Sequence, residues 1–151
     1  MEQDFSQHTM RNISVVSRKF RAVLNRKVKK YGLNHKTIQL LRHIKRNPGI
    51  TQTQLCENIK KDKSAITRGV SHLESTNLIT KIIDDKDKRI FRLYISEQGE
   101  NILPILNELH QEMTLAALEG LEEKAIELVN KTLFKIENNI KKHVQEIEKS
   151  K

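Results

Sequence analysis

Apolar side chains recur at steps of three and four along nearly the whole chain, and at steps of two in one stretch only, residues 78–96. That single change of period constrains the fold most, because a three-to-four step is the signature of a helix buried along one face and a two step that of a half-buried strand. A chain of 151 residues with this pattern is mainly helical with one small β-hairpin set inside it, an α+β arrangement of one compact domain with helical extensions.

Ile13, Val16, Phe20, Val23, Leu24, Val28 and Tyr31 predict a long first helix over residues ~6–30, stopped at Gly32. Asn34 is placed to cap a second helix with Ile38, Leu41 and Ile44 on one face, and Asn47-Pro48-Gly49 closes it as a turn. Thr51-Gln52-Thr53-Gln54 fits a capping box and opens a short third helix that uses Leu55 and Ile59. Lys61 or Asp62 begins a fourth helix, with Ile66, Val70 and Leu73 inward and Asn77 at its end, a residue at ease in a left-handed cap. Ile79–Ile83 and Ile90–Ile95 are then two strands flanking the charged loop Asp84-Asp85-Lys86-Asp87-Lys88-Arg89, with Phe91, Leu93 and Ile95 alternating inward against Arg92 and Tyr94. Ser96 caps a helix over ~97–118, and a last helix over ~122–148 carries Ile126, Val129, Leu133, Ile136, Ile140, Val144 and Ile147 close to a heptad seam.

Three short helices followed by a hairpin make a winged helix-turn-helix, in which the second helix of the turn enters the DNA major groove. The long flanking helices have no evident use within so small a head and are read as a dimerisation bundle. The division expected is therefore residues 1–31 as an N-terminal dimerisation helix, 32–96 as the winged helix-turn-helix, and 97–151 as a C-terminal helical dimerisation region.

Charge agrees with a nucleic-acid partner. Residues 1–96 hold 21 Lys and Arg against 8 Asp and Glu, a balance of +13, whereas residues 97–151 hold 7 against 11, a balance of −4. A compositional drift toward lysine would raise both parts alike, so the basic part is expected to meet phosphates, whose neutralisation supplies most nucleic-acid affinity. The basic run Arg26-Lys27-Val28-Lys29-Lys30 lacks the bulky apolar face that a membrane anchor needs, and no stretch approaches the roughly 20 apolar residues of a span, so no membrane partner is expected. The N-terminal segment has no apolar core before a cleavage site, and the compartment expected is cytoplasmic.

In order and spacing, Gly49-Ile50-Thr51-Gln52-Thr53-Gln54-Leu55, the helix Asp62 to Glu74, the link Asn77-Leu78-Ile79 and the wing Asp84 to Arg89 leading to Leu93-Tyr94-Ile95-Ser96-Glu97-Gln98-Gly99 resemble the MarR family of bacterial transcription regulators. Asn77 stands where that family favours Gly, and Ile95-Ser96 where it favours Leu-Thr. Both departures are physically mild. The resemblance implies a homodimer on inverted-repeat double-stranded DNA, usually a repressor, sometimes released by a small anionic or phenolic effector.

Ser64, Thr67, Arg68 and His72 lie opposite the inward stripe of the fourth helix. Arg68 is the candidate for direct readout, since a guanidinium donates two hydrogen bonds to guanine O6 and N7, while Lys63, Ser64, Thr67 and His72 are shared between phosphates and bases. Arg89 resembles the family's wing-tip arginine, which enters the minor groove, with Asp87 holding it by an ion pair. Lys81, Lys86, Lys88 and Arg92 are then phosphate contacts, and Thr51 with Gln52 brings a helix N-terminus to the backbone.

Other chemistries fare worse. Asp84-Asp85-Asp87 lacks the spacing of a calcium loop, the six histidines contain no His-x3-His pair, and a zinc site would need residues from different helices such as His43 and His110. Cys56 sits inside a short helix without a cationic neighbour and is expected to be an inert, packed thiol rather than a redox switch. It also lacks the Pro-Cys-His-Arg setting of a DNA-repair alkyltransferase. No catalytic constellation, cofactor site or metal site is expected, so the chain is not expected to be an enzyme. The competing class is a helical protein-interaction or anti-regulator protein without sequence-specific DNA binding, which leaves the basic charge of residues 1–96 unused.

Overall fold

The computed structural model describes residues 2–59 and 62–149, and of residues 2–7 the backbone alone. Its elements in chain order are α1 (Glu2–Val28) with a 3-10 turn at Lys29–Tyr31, α2 (His35–Arg46), β1 (Ile50–Thr51), α3 (Gln52–Ile59), α4 (Lys63–Ser75), β2 (Ile79–Ile83), β3 (Phe91–Ile95), α5 (Glu97–Leu118) and α6 (Glu123–Lys149). The expected mainly helical fold with a small β-wing is what the chain adopts. It divides into two compact units, Met1–Met113 and Thr114–Lys151, with α5 crossing from the first to the second.

The helix ends follow local chemistry. Gly32 stops the 3-10 turn at φ 68°, in the left-handed region. Asn34 caps α2, its Oδ1 accepting from the N–H groups of Lys36 and Thr37 while Thr37 Oγ1 accepts from the Asn34 N–H in return. The capping box read at α3 is present: Gln54 N–H donates to Thr51 Oγ1 at 3.2 Å, and Thr51 N–H to Gln54 Oε1 at 3.0 Å. Asp62 caps α4 by accepting from the Ala65 N–H at 3.0 Å, and Lys61, the alternative start, lies outside the described residues. At the other end of α4, Asn77 adopts φ 56°, the Leu78 N–H donates to the Leu73 carbonyl and the Asn77 N–H to the Glu74 carbonyl, both at 2.9 Å. This doubly bonded cap satisfies carbonyls that an abrupt helix end would orphan.

The core of the first unit is aliphatic. Val28 from α1, Leu41 and Ile44 from α2, Leu55 from α3, Ile66, Val70 and Leu73 from α4, Leu78, Leu93 from β3 and Leu106 from α5 are all buried. The sheet order is β1-β3-β2, antiparallel throughout, with Ile50 opposite Leu93 and Ile79 opposite Ile95. Two expectations are corrected. A third strand, β1, joins the hairpin, and it is too short at two residues to show a period in sequence. Phe91, expected inward, is 48% exposed, and its cross-strand partner Ile83 is exposed too. Alternation assigns a residue to a face of the sheet, but that face meets the core only at the root of the hairpin, at Leu93 and Ile79.

Polar ties fasten α5 to the head. Arg42 Nη2 donates to Asn107 Oδ1 at 2.8 Å, Lys45 pairs with Glu100, and Lys27 Nζ lies 2.7 Å from Glu112 Oε1. In the second unit, α6 buries none of its residues, and Val129, Leu133, Ile140, Val144 and Ile147 stand along it exposed.

Two glycines mark close approaches of different stiffness. A Cβ at Gly99 would lie 2.2 Å from the Leu78 carbonyl oxygen, a backbone atom, whereas one at Gly69 would lie 2.3 Å from Leu40 Cδ1, the end of a flexible side chain. Gly99→Ala is expected to destabilise by about 2 kcal/mol or more, and Gly69→Ala by less than about 1 kcal/mol, since Leu40 can rotate and alanine favours the helix. Urea unfolding of the two variants checks the order, and equal midpoints would contradict it.

Candidate nucleic-acid interface

The inward stripe Ile66, Val70 and Leu73 fixes which residues α4 turns outward. Those are Lys63, Ser64, Thr67, Arg68 and Ser71, all exposed. Arg68 has no hydrogen bond or ion pair to another described residue. Thr67 is engaged on both sides: its Oγ1 donates to the Lys63 carbonyl at 2.9 Å and accepts from Gln52 Nε2 at 2.6 Å. The first residue of α3 is thereby held against the middle of α4, and the Gln52 amide keeps its oxygen and one N–H for another partner.

His72 occupies a different setting from the residues before it. It is half-buried, and its ring Nε2–H donates to the Gly32 carbonyl at 2.6 Å, which ties α4 to the turn after α1. Lys81, at the root of the wing, pairs with Glu74 of α4 at 2.5 Å.

The wing is organised by Asp84, which sequence reading weighed only as part of an acidic cluster. It is 7% exposed. Its Oδ1 accepts from the N–H groups of Lys86 at 2.8 Å and Asp87 at 3.0 Å, and its Oδ2 accepts from Arg92 Nε. Arg92, half-exposed, also donates from Nη1 to the Gly49 carbonyl at 3.1 Å, so its guanidinium joins the wing to the turn before β1. At the tip Asp87 Oδ1 accepts from the Arg89 N–H at 2.9 Å and lies 3.6 Å from Arg89 Nε, while the Arg89 side chain is 94% exposed. Lys86 and Lys88 are exposed in the same loop.

The structure thus brings Gln52 to Thr67, Asp87 to Arg89 and Arg92 to Gly49, and leaves Lys63, Ser64 and Arg68 outward on one helix face. Two residues were missed by sequence reading. Ser71 falls on the outward face by its spacing of seven from Ser64, a signal that was there to use. Asp84 precedes two loop N–H groups at the spacing aspartate side chains favour in turns, but its third partner, Arg92, is visible only in the fold. Among the described residues no group of three His, Cys, Asp or Glu is placed to hold a metal. His110 packs edge-on to Phe20, with ring centroids 5.4 Å apart, and His43 Nε2 lies 3.4 Å from Asn58 Nδ2. Cys56 is half-buried against the core.

The two loop N–H groups and the Arg92 guanidinium stabilise the Asp84 carboxylate and hold its pKa below the ordinary aspartate value. A carboxyl depressed in the folded state contributes stability that is complete above the unfolded pKa, near 4, and is lost as pH falls through the lower folded value. Asp84→Asn removes that contribution. Urea unfolding from about pH 7 to about pH 3 is expected to show a shallower acid limb for Asp84→Asn than for the unsubstituted protein, and parallel limbs would contradict this account.

Comparison with known proteins gives four matches. The model of the MarR family matches residues 31–90, the span from the Tyr31 turn to the end of the wing loop. An uncharacterised HTH-type transcriptional regulator of Bacillus subtilis, YybA, is 29% identical over 140 residues, covering 93% of each chain. Among solved structures, the transcriptional regulator SlyA is 30% identical with a TM-score of 0.73, over 87% of this chain and 93% of that one. A MarR family regulator of Listeria monocytogenes, crystallised with a 26-mer DNA, is 29% identical with a TM-score of 0.70, over 87% of each chain. Among the described residues no helix is long and apolar enough to cross a membrane.

Proposed function

The chain belongs to the MarR family of winged-helix transcription regulators, which are not enzymes, and from that premise we propose that it is a cytoplasmic homodimer that represses transcription at inverted-repeat operators. The observation that carries the reading is the pairing of two surfaces: the outward face of α4, where Arg68 bonds no other described residue, and the wing tip, where Asp87 accepts from the Arg89 N–H and the Arg89 side chain stands exposed. In this reading residues 32–96 form the DNA-binding head. Arg68 reads a guanine, Lys63 and Ser64 divide between phosphate and base, Gln52 acts from the fixed start of α3, and Arg89 enters the minor groove flanked by Lys86 and Lys88.

The dimeric part of the proposal rests on α6. A seam from Val129 to Ile147 left exposed on a single chain is a surface that another apolar helix face covers. A two-fold dimer sets two α4 helices on successive major grooves, which is why an inverted repeat is the expected target. For release, the small anionic or phenolic effector that the family resemblance implies has its place, in this reading, in a cavity of about 280 Å³ between the start of α2 and α4, where Lys36, Arg68 and His72 are among the lining side chains. Occupation there bears directly on α4.

Fluorescence anisotropy with a duplex selected from random sequence by the full-length protein tests the reading. The logarithm of affinity should fall steeply with the logarithm of salt, and a scrambled duplex should bind far more weakly. A salt slope without sequence preference would leave only general DNA binding. Arg68→Ala is expected to cost about 1–3 kcal/mol on the selected duplex, mainly by relaxing preference at one base pair per half-site, with little change on scrambled DNA. In sedimentation the protein should run at twice its 17.6 kDa chain mass at micromolar concentration, and Ile140→Asp, which sets a charge in the α6 seam, should shift it toward monomer.

A further inference from the structure

We infer that Arg92 is a positioning residue that sets the wing against the reading helices, and that it acts on DNA through Arg89 rather than by touching a phosphate itself. The inference rests on the proposed DNA-binding reading and deepens it. Three observations carry it. First, Arg92 spends its Nε–H on Asp84 and an Nη1–H on the Gly49 carbonyl, so the same guanidinium grips the base of the wing loop and the turn that precedes β1 and α3. Second, Asp84 is also the acceptor for the Lys86 and Asp87 N–H groups, so whatever holds Asp84 holds the first half of the loop, and Asp87 in turn holds Arg89. Third, Arg92 stands opposite Ile82 in β2 and beside Thr51 in the register of β1, at the middle of the three-stranded sheet and back from the tip where Lys86, Lys88 and Arg89 are displayed.

Remove the Arg92 fork and two things fail together. Asp84 loses the cation that compensates its burial, and the wing loses its tie to the Gly49 turn. The sheet pairing between β2 and β3 remains, as does the aliphatic core at Leu93. The consequence is a wing that is still folded but less well aimed, so that Arg89 reaches its groove with a larger ordering cost. A lysine cannot replace the fork: its single ammonium does not span a carboxylate and a carbonyl in the fixed geometry of a planar guanidinium.

The test is a double-substitution cycle on the duplex selected from random sequence, read by anisotropy over a salt series. Arg92→Gln alone is expected to weaken binding about tenfold, within the range of coupled neighbours. In an Arg89→Ala background the same substitution should cost nothing further and leave the salt slope unchanged. Arg92→Lys, which preserves the charge, should bind as weakly as Arg92→Gln. The opposite set of results overturns the inference: an additive loss in the Arg89→Ala background, a slope lowered by about 0.9 for one lost phosphate contact, and near-complete rescue by lysine. Thermal melting of each variant controls for folding, and should Arg92→Gln not fold, the lysine variant decides between the two outcomes by itself. If Arg89→Ala binds as well as the unsubstituted protein, the wing does not engage DNA and this inference falls with that reading. If Arg89→Ala weakens binding while Arg92→Gln adds its own independent loss, only the inference falls.

Discussion

Everything α4 presents outward depends on the burial of Ile66, Val70 and Leu73 against α2. These three side chains set the rotation of α4 about its own axis. A slip of one residue, about 100° on a helix, would carry Arg68 off the outward face and turn a polar residue into the aliphatic core. Gly69 lets the two helices close to the distance at which that stripe is fully covered, since a Cβ there would meet Leu40. The apolar face therefore selects the polar one. Apart from Thr67, which ties α4 to Gln52, the outward residues of α4 stand exposed outside the core, and that side is left to be chosen for its partner.

The wing is held by a different kind of force. Its root is covered by the core at Ile79 and Leu93, but beyond them Ile83 and Phe91 are exposed and supply little burial. What orders the loop is polar: Asp84 with two N–H groups and Arg92, Asp87 with the Arg89 backbone, and Lys81 with Glu74. Exposed ion pairs stabilise a fold by only about 0–1 kcal/mol, so Asp87 with Arg89 serves direction more than stability. Asp84 differs because it is buried, and leaving it without its partners costs the desolvation of a carboxylate. A single acidic residue thus does for the wing what three aliphatic ones do for α4.

Most of this fold was legible because its signals are local. The caps at Asn34, Thr51 and Asp62, and the left-handed Asn77, depend on side chains and N–H groups within three or four residues of each other. The helix faces follow from spacing alone. What escaped was what distance in sequence conceals. Arg92 meets Gly49 across 43 positions and His72 meets Gly32 across 40, and neither partner is a side chain that composition could flag. The strand β1 was hidden for another reason: two residues carry no period, and its existence is decided by β3 offering it an edge. Phe91 was misplaced because alternation specifies a face of the sheet without specifying how far the core extends beneath it. The outward residues of α4 were legible as a set, but Thr67 and His72 could not be distinguished from Arg68 without their bonds.

That distinction bears on how such an interface divides its labour. An exposed arginine bonded to no other described residue, as Arg68 is, loses roughly 2 kcal/mol of rotamer freedom when it is fixed, and in the proposed reading a base that offers two acceptors at once repays that cost best. Where no base offers them the side chain stays unordered in solvent, so its removal there changes affinity little. Gln52 and the wing backbone as far as the Arg89 N–H are already oriented by Thr67, Asp84 and Asp87, so in the proposed reading they would meet DNA at a smaller ordering cost. In that reading the preorganised groups would set the position and register of the head, and Arg68, exposed on α4, would compare bases. Which side chains the fold has bonded to itself, and which it leaves without a bond among the described residues, is thus the structural basis on which the proposal divides positioning from readout.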